Sequence, residues 1–351
     1  LLPLDTAWTT AFPFGGAIDL VMGDSRLFTV QDGHVAAQSL AEGTALWESP
    51  LTTTALPVVV DGHVYLVGED RLESLSETSG FVEWRLDTGP VTLTPTARAG
   101  WVLVTNTSGR LQAVSASDGR LIWEAQLPAA LAAPLVIDGD IVAAALQDGR
   151  VIAWTVTTGA ERWTRPLGTR VQQLLAAHGR VYVTGDNQAL TALRLRDGHQ
   201  EWAYPIDMPV VGRLAVDADH IYVATIDNSV RIHGLNGHQK RRVTLASRVV
   251  DGLVADGARV FVPQSNGEIR VFLSDGTRAG RLAPAADGAV LQGALASSGR
   301  DETFRLAVTL AEASQLTVTT YVRTSLPITS AISGAGTPIP LTPPSVRLPW
   351  P

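Results

Sequence analysis

At 351 residues, with 45% hydrophobic and only 17% charged residues, the chain has a composition for burying surface, which excludes a disordered polymer. Its formal net charge of −7, with no basic run longer than Lys240-Arg241-Arg242, leaves no stripe to track phosphates and argues against nucleic acid as a partner. The absence of cysteine removes disulfides, thiolate nucleophiles and Cys-based metal sites, and no apolar stretch reaches the about 18 residues of a membrane-spanning helix.

The chain opens on Asp5-Thr-Ala-Trp8-Thr-Thr-Ala-Phe12, and Trp8 stands 39 residues ahead of Trp47. From there a turn glycine is followed four residues later by tryptophan in Gly43/Trp47, Gly80/Trp84, Gly119/Trp123, Gly159/Trp163 and Gly198/Trp202. The period continues through Gly237 and Gly276, but Arg241 and Gly280 stand where tryptophan is due. A second landmark keeps the same period at Gly23, Gly62, Gly100, Gly139, Gly179, Ala218 and Gly257. Two independent phases at one period of about 40 residues identify a repeat array.

Each unit carries short β-branched runs between turn signals, such as Val64-Tyr-Leu-Val67 and Ile221-Tyr-Val223. Residues 128 to 167 show four strands in succession: Ala133 to Ile137, Ile141 to Leu146, Val151 to Val156 and Glu161 to Thr164. The glycines between them are expected at hairpin turns with positive φ. Four antiparallel strands on about 40 residues make one propeller blade.

Units at 9–51, 52–87, 88–127, 128–167, 168–206, 207–245 and 246–284 give seven blades. Residues 288–296, 303–310 and 315–323 supply only three strands of an eighth, and the strand around Trp8 has the phase of the missing fourth. The expected fold is therefore all-β: an eight-bladed β-propeller of four-stranded antiparallel blades, with residues 1–12 completing the last blade. This closure hydrogen-bonds the two ends into a ring and removes an exposed sheet edge. The propeller is expected over 1–325, followed by an extended Pro-rich tail at 326–351. That tail carries apolar side chains, among them Trp350, which suit docking on the propeller or a partner as well as a free terminus.

The units Val64-Tyr-Leu-Val67 through Trp84, and Gly109-Arg-Leu-Gln-Ala-Val-Ser-Ala-Ser-Asp-Gly119-Arg-Leu-Ile-Trp123, resemble the PQQ-like propeller repeat. Eight blades without large insertions resemble most the BamB-like assembly factors of the outer membrane within that family. The resemblance implies a non-catalytic, periplasmic, membrane-associated scaffold with other envelope proteins as partners. It also implies a lipid anchor on a cysteine ahead of residue 1. In such proteins inter-blade loops make the partner contacts. The corresponding candidate is Asp207-Met-Pro-Val-Val-Gly-Arg213, with Met208, Val210 and Arg213 as contact residues and Trp350 in the tail as a further one.

The alternative is a PQQ-dependent dehydrogenase, or a small-molecule binder using the central channel. Quinone enzymes of this repeat use a calcium site, a catalytic Asp and often a disulfide beneath the cofactor on a chain with long insertions. This sequence has no cysteine and only small insertions, so no cofactor is expected. The periodic residues have local explanations. Trp8, Trp47, Trp84, Trp123, Trp163 and Trp202 are expected to wedge between neighbouring sheets. His34, His63, His178, His199, His220 and His238 sit at turns without metal-ligand spacing. Asp61, Asp118, Asp138, Asp148, Asp197, Asp256 and Asp275 lie at hairpins.

Overall fold

The computed structural model describes residues 4–13, 16–91, 93–256, 259–282, 290–298, 305–311 and 315–323. The expected tail at 326–351, Trp350 included, lies outside these residues, as does the turn at Gly257.

Eight four-stranded antiparallel sheets form the eight blades. No helix occurs among the described residues. Blade 4 is representative: Val136–Asp138, Ile141–Ala145, Arg150–Thr155 and Glu161–Pro166 pair in chain order. The last blade joins both ends of the chain, because Leu4–Pro13 pairs with Gln315–Arg323, which continues through Arg305–Ala311 to Val290–Ser298. Its innermost strand, Val290–Ser298, also contacts the innermost strand of blade 1, Ile18–Met22, while the N-terminal strand completes the sheet on the outside.

Position in the blade decides the burial pattern. A middle strand is covered on both faces by neighbouring blades and reads as a continuous apolar run: His63–Val67 is buried from Val64 to Val67, and Ile141–Ala145 throughout. Outer strands meet solvent, and Leu121–Gln126 exposes most of its length. The core is accordingly a ring of inter-blade clusters. One joins Leu103, Leu111 and Ala113 of blade 3 to Val142, Ile152 and Trp154 of blade 4. Another joins Leu316 and Val318 of the last blade to Ile18 and Leu27 of the first, with Trp8 packed against it.

The second glycine landmark does not have one cause. Asp61-Gly62 and His178-Gly179 have positive φ at both positions, the signature of a two-residue type I′ hairpin. Gly23, expected in the same conformation, is not among the positive-φ residues. It is required by proximity instead, since a Cβ there would lie 2.4 Å from Glu77 Oε1 of the next blade. At Ala218 the turn is held by Asp217, whose Oδ1 accepts from the amides of Asp219 (2.9 Å) and His220 (2.7 Å).

Candidate functional site

The six periodic tryptophans share one geometry. Each indole Nε1 donates to a backbone carbonyl of the following blade: Trp8 to Leu40, Trp47 to Glu77, Trp84 to Ala116, Trp123 to Val156, Trp163 to Leu195 and Trp202 to Leu235, at 2.5–3.1 Å. The ring lies on that blade's turn glycine, so a Cβ at Gly119 would fall 2.6 Å from Trp84 Cε3. Gly119 also has φ +69. Glycine is thus needed both for the left-handed turn and for the approach of an indole from outside its own blade. Trp84 and Trp163 are buried, at 8% and 9% exposure, and the other four are half-buried.

The connection at 207–213 runs from the outer strand of blade 5, Gln200–Pro205, to the inner strand of blade 6, Ala215–Val216. Val210 bridges Thr225, the Val211 amide donates to Ala224 O (2.9 Å), and the Ile226 amide donates to Pro209 O (3.1 Å). These bonds hold the segment carrying Met208 against the one carrying Ile226, and both side chains are at the surface, 37% and 53% exposed. Val210 turns the other way, against the cluster containing Tyr182, Leu190 and Ile221. Arg213 lies further in, with Nη2 3.4 Å from both carboxylate oxygens of Asp251 in blade 7's entry loop. Gln173 of blade 5 holds Gly212 O at 2.6 Å, fixing the backbone beside it.

Asp19, on the innermost strand of blade 1, feels this pair. Burial raises its carboxyl above the usual range, the negative charge of Asp251 raises it further, and Arg213 opposes both. The predicted contact residues therefore divide: Met208 is on the surface, Val210 faces inward, and Arg213 serves an inner ion pair while staying two-thirds exposed.

Ile226 escaped the sequence reading, although the repeat carries its signal. The bridges Leu131 to Leu146, Val210 to Thr225 and Val249 to Gln264 are the same bridge in three blades. In that register Met208 corresponds to Ala129 and Ser247, and Ile226 to Gln147 and Ser265. Only the middle member of this set is apolar and bulky at both positions.

His233, the seventh histidine, also went unassigned. It is fully buried, Nδ1 donates to Gly237 O at 2.9 Å, and Tyr204 meets the ring edge-on at 4.9 Å. Burial lowers its pKa, the hydrogen bond to Gly237 opposes this in part, and the charge of Arg231 adds to the lowering. Among the described residues no three His, Asp or Glu side chains form a group able to hold a metal. No helix among them is long and apolar enough to cross a membrane.

A family model described as outer membrane protein assembly factor BamB matches residues 5–204. BamB of Yersinia pestis is 29% identical over 191 residues, covering 49% of this chain and 46% of that protein. The chain spans about half the length of the curated relatives it matches. The crystal structure of BamB from Moraxella catarrhalis aligns with a TM-score of 0.68 at 16% identity, covering 91% of this chain and 99% of that one. A quinohemoprotein alcohol dehydrogenase from Pseudomonas putida HK5 aligns with a TM-score of 0.71 at 13% identity, covering 99% of this chain and 78% of that one. At such identities both structures show a shared propeller fold and nothing of chemistry.

Proposed function

We propose, from the premise that this chain belongs to the outer membrane protein assembly factor BamB family, that it is a non-catalytic scaffold of the cell envelope. It holds another envelope protein through the 207–213 connection and the adjoining Thr225-Ile226 corner. The observation that carries this reading is the pair Met208 and Ile226. Two large apolar side chains are exposed on two hydrogen-bonded segments, at positions where the repeat elsewhere places Ala129 with Gln147 and Ser247 with Ser265. Exposed Met and Arg are enriched at protein-binding interfaces, and the same connection carries Arg213, two-thirds exposed.

The frame suits this role. The connection is hydrogen-bonded to blade 6 through Pro209 and Val211 and to blade 5 through Asp207 and Gly212, and is therefore presented preorganised, which lowers the entropic cost of binding. Membership of the family supports association with the outer membrane and with an assembly complex there. The Pro-rich segment 326–351 is included as a second contact element, with Trp350 as its anchor.

The test is capture of envelope proteins from detergent extracts of the native organism on immobilised wild-type chain, compared with a Met208→Asp, Ile226→Asp double variant. The expected result is an envelope protein retained by the wild type and lost by the variant, with unchanged thermal melting of the bait. Calcium-dependent dye reduction on adding pyrroloquinoline quinone and an alcohol would overturn the reading in favour of the dehydrogenase.

A further inference from the structure

At the junction from blade 6 to blade 7 the tryptophan is replaced. Arg241 lies where the indole would, its Cδ 2.7 Å from the position of a Cβ on Gly276. Its guanidinium takes over the cross-blade bond, with Nη1 donating to Asp275 O at 3.3 Å. An alkyl stem fills less space than a bicyclic ring, and a cleft of about 530 Å3 remains. Val243, Leu245 and Phe272 give it an apolar lining, and Arg241, Arg242, Arg270 and Arg278 surround it.

The charges around this cleft are arranged against stability. In the outer strand pairs, Arg231 stands directly opposite Arg242, and Arg270 opposite Arg281. Like charges at such positions repel, whereas blade 2 sets Glu73 opposite Arg85. A single carboxylate serves each arginine pair. Asp227 lies 2.6 Å from Arg242 and 3.8 Å from Arg231, and Glu268 contacts Arg270 and lies 4.0 Å from Arg281. Arg241 and Arg278 have no carboxylate within ion-pair distance among the described residues. The surplus is regional: residues 239–282 hold eight Lys and Arg against four Asp and Glu, in a chain of net charge −7.

We infer that this cleft is a docking slot for an extended acidic segment of a partner protein. One aromatic or branched aliphatic side chain of that segment enters the space filled by an indole at six of the other junctions. Flanking carboxylates meet the four arginines. Charge complementarity selects the occupant, and its size falls within the range of pockets that enclose a ligand group, about 300–1,000 Å3. This surface shares no residue with the Met208 and Ile226 face and stands independently of it.

Fluorescence anisotropy on the full chain tests the inference, with a fluorescein-labelled synthetic peptide that has one tryptophan between two runs of glutamate. Saturable binding weakened by salt is expected. Arg278→Glu should weaken it about tenfold with little change in melting temperature. Arg241→Trp should fill the slot, raise the melting temperature and abolish binding, while Met208→Asp leaves binding unchanged. The inference is overturned if both arginine variants bind like the wild type, or if the glutamate peptide without its tryptophan binds as tightly. Equal binding of a lysine-for-glutamate peptide overturns it too. So does retention on phosphatidylglycerol vesicles, sensitive to Arg278→Glu, without peptide binding, which would make the cleft a lipid site.

Discussion

Blades 2 to 5 and blades 6 to 7 share a backbone plan and differ in what fills the space between neighbours. In the first group an indole from each outer strand covers the next blade's glycine and donates to its backbone, and the outer ion pairs alternate in sign, as in Arg85 with Glu73 and Arg110 with Glu124. In the second, the stem of Arg241 replaces the indole and arginine faces arginine across the strands. The backbone tolerates the exchange because the cross-blade bond survives, now from a guanidinium. The repeat therefore specifies a ring, and its departures from period mark where the ring is available for other work. The Met208 and Ile226 corner teaches the same lesson one junction earlier.

Cutting the ring itself should have the largest effect. Deleting residues 4–13 removes the fourth strand of blade 8 and the contact of Trp8 with Gly43 and Leu40. The expected loss approaches the whole stability of a domain, on the order of 5–15 kcal/mol, seen as an early or non-cooperative thermal transition by circular dichroism. Melting close to that of the intact chain would show that the N-terminal strand does not close the propeller.

Substitution at equivalent positions of the two regions comes next. Trp84→Ala should cost about 3–5 kcal/mol in urea unfolding, since it empties a buried wedge and strips Ala116 O of its donor. Arg241→Ala should cost less than about 1 kcal/mol, because its site is already partly open and solvated. Equal costs would erase the distinction between the two regions.

The smallest effect is a pH dependence carried by His233 of blade 6. Burial holds its folded pKa below the ordinary 6.5, so the unfolded chain binds the proton more readily. Its contribution is complete above pH 6.5 and is lost as pH falls below that value towards the folded pKa. His233→Phe should flatten the fall in melting temperature between pH 7.5 and pH 5, with a loss near neutrality from the missing bond to Gly237 O. An unchanged pH profile in the variant would rule out His233 as its source.

Much of the fold was legible because a period of about 40 residues is a one-dimensional pattern. The phase of Trp8 announced that the first strand belongs to the last blade, and the strands at 315–323 and 290–298 lie close to where their apolar runs placed them. The Trp and Gly spacing was legible too, but not its meaning: the two residues sit four apart in one blade, yet Trp84 covers Gly119 of the next blade while Gly80 is covered by Trp47 of the preceding one. The candidate surfaces were legible only in part. Met208 and Arg213 lie in an evident connection, whereas the segment of Ile226 is brought to it by backbone bonds to Pro209 and Val210. Arg241 was visible as a missing tryptophan, yet nothing in its local sequence announces a cleft.

By itself the sequence determined the all-β class, the number of blades and the closure of the ring, because these follow from the spacing of turns and from apolar runs whose burial the blade geometry dictates. Only the tertiary structure decided which side chains meet between blades: that Gly23 yields to Glu77, that Arg213 reaches Asp251, and that Arg241, Arg242, Arg270 and Arg278 surround one space. The physical reason is that a repeat fixes contacts within a unit by local turns. Contacts between units depend on side-chain volume and charge brought together from positions about 40 residues apart.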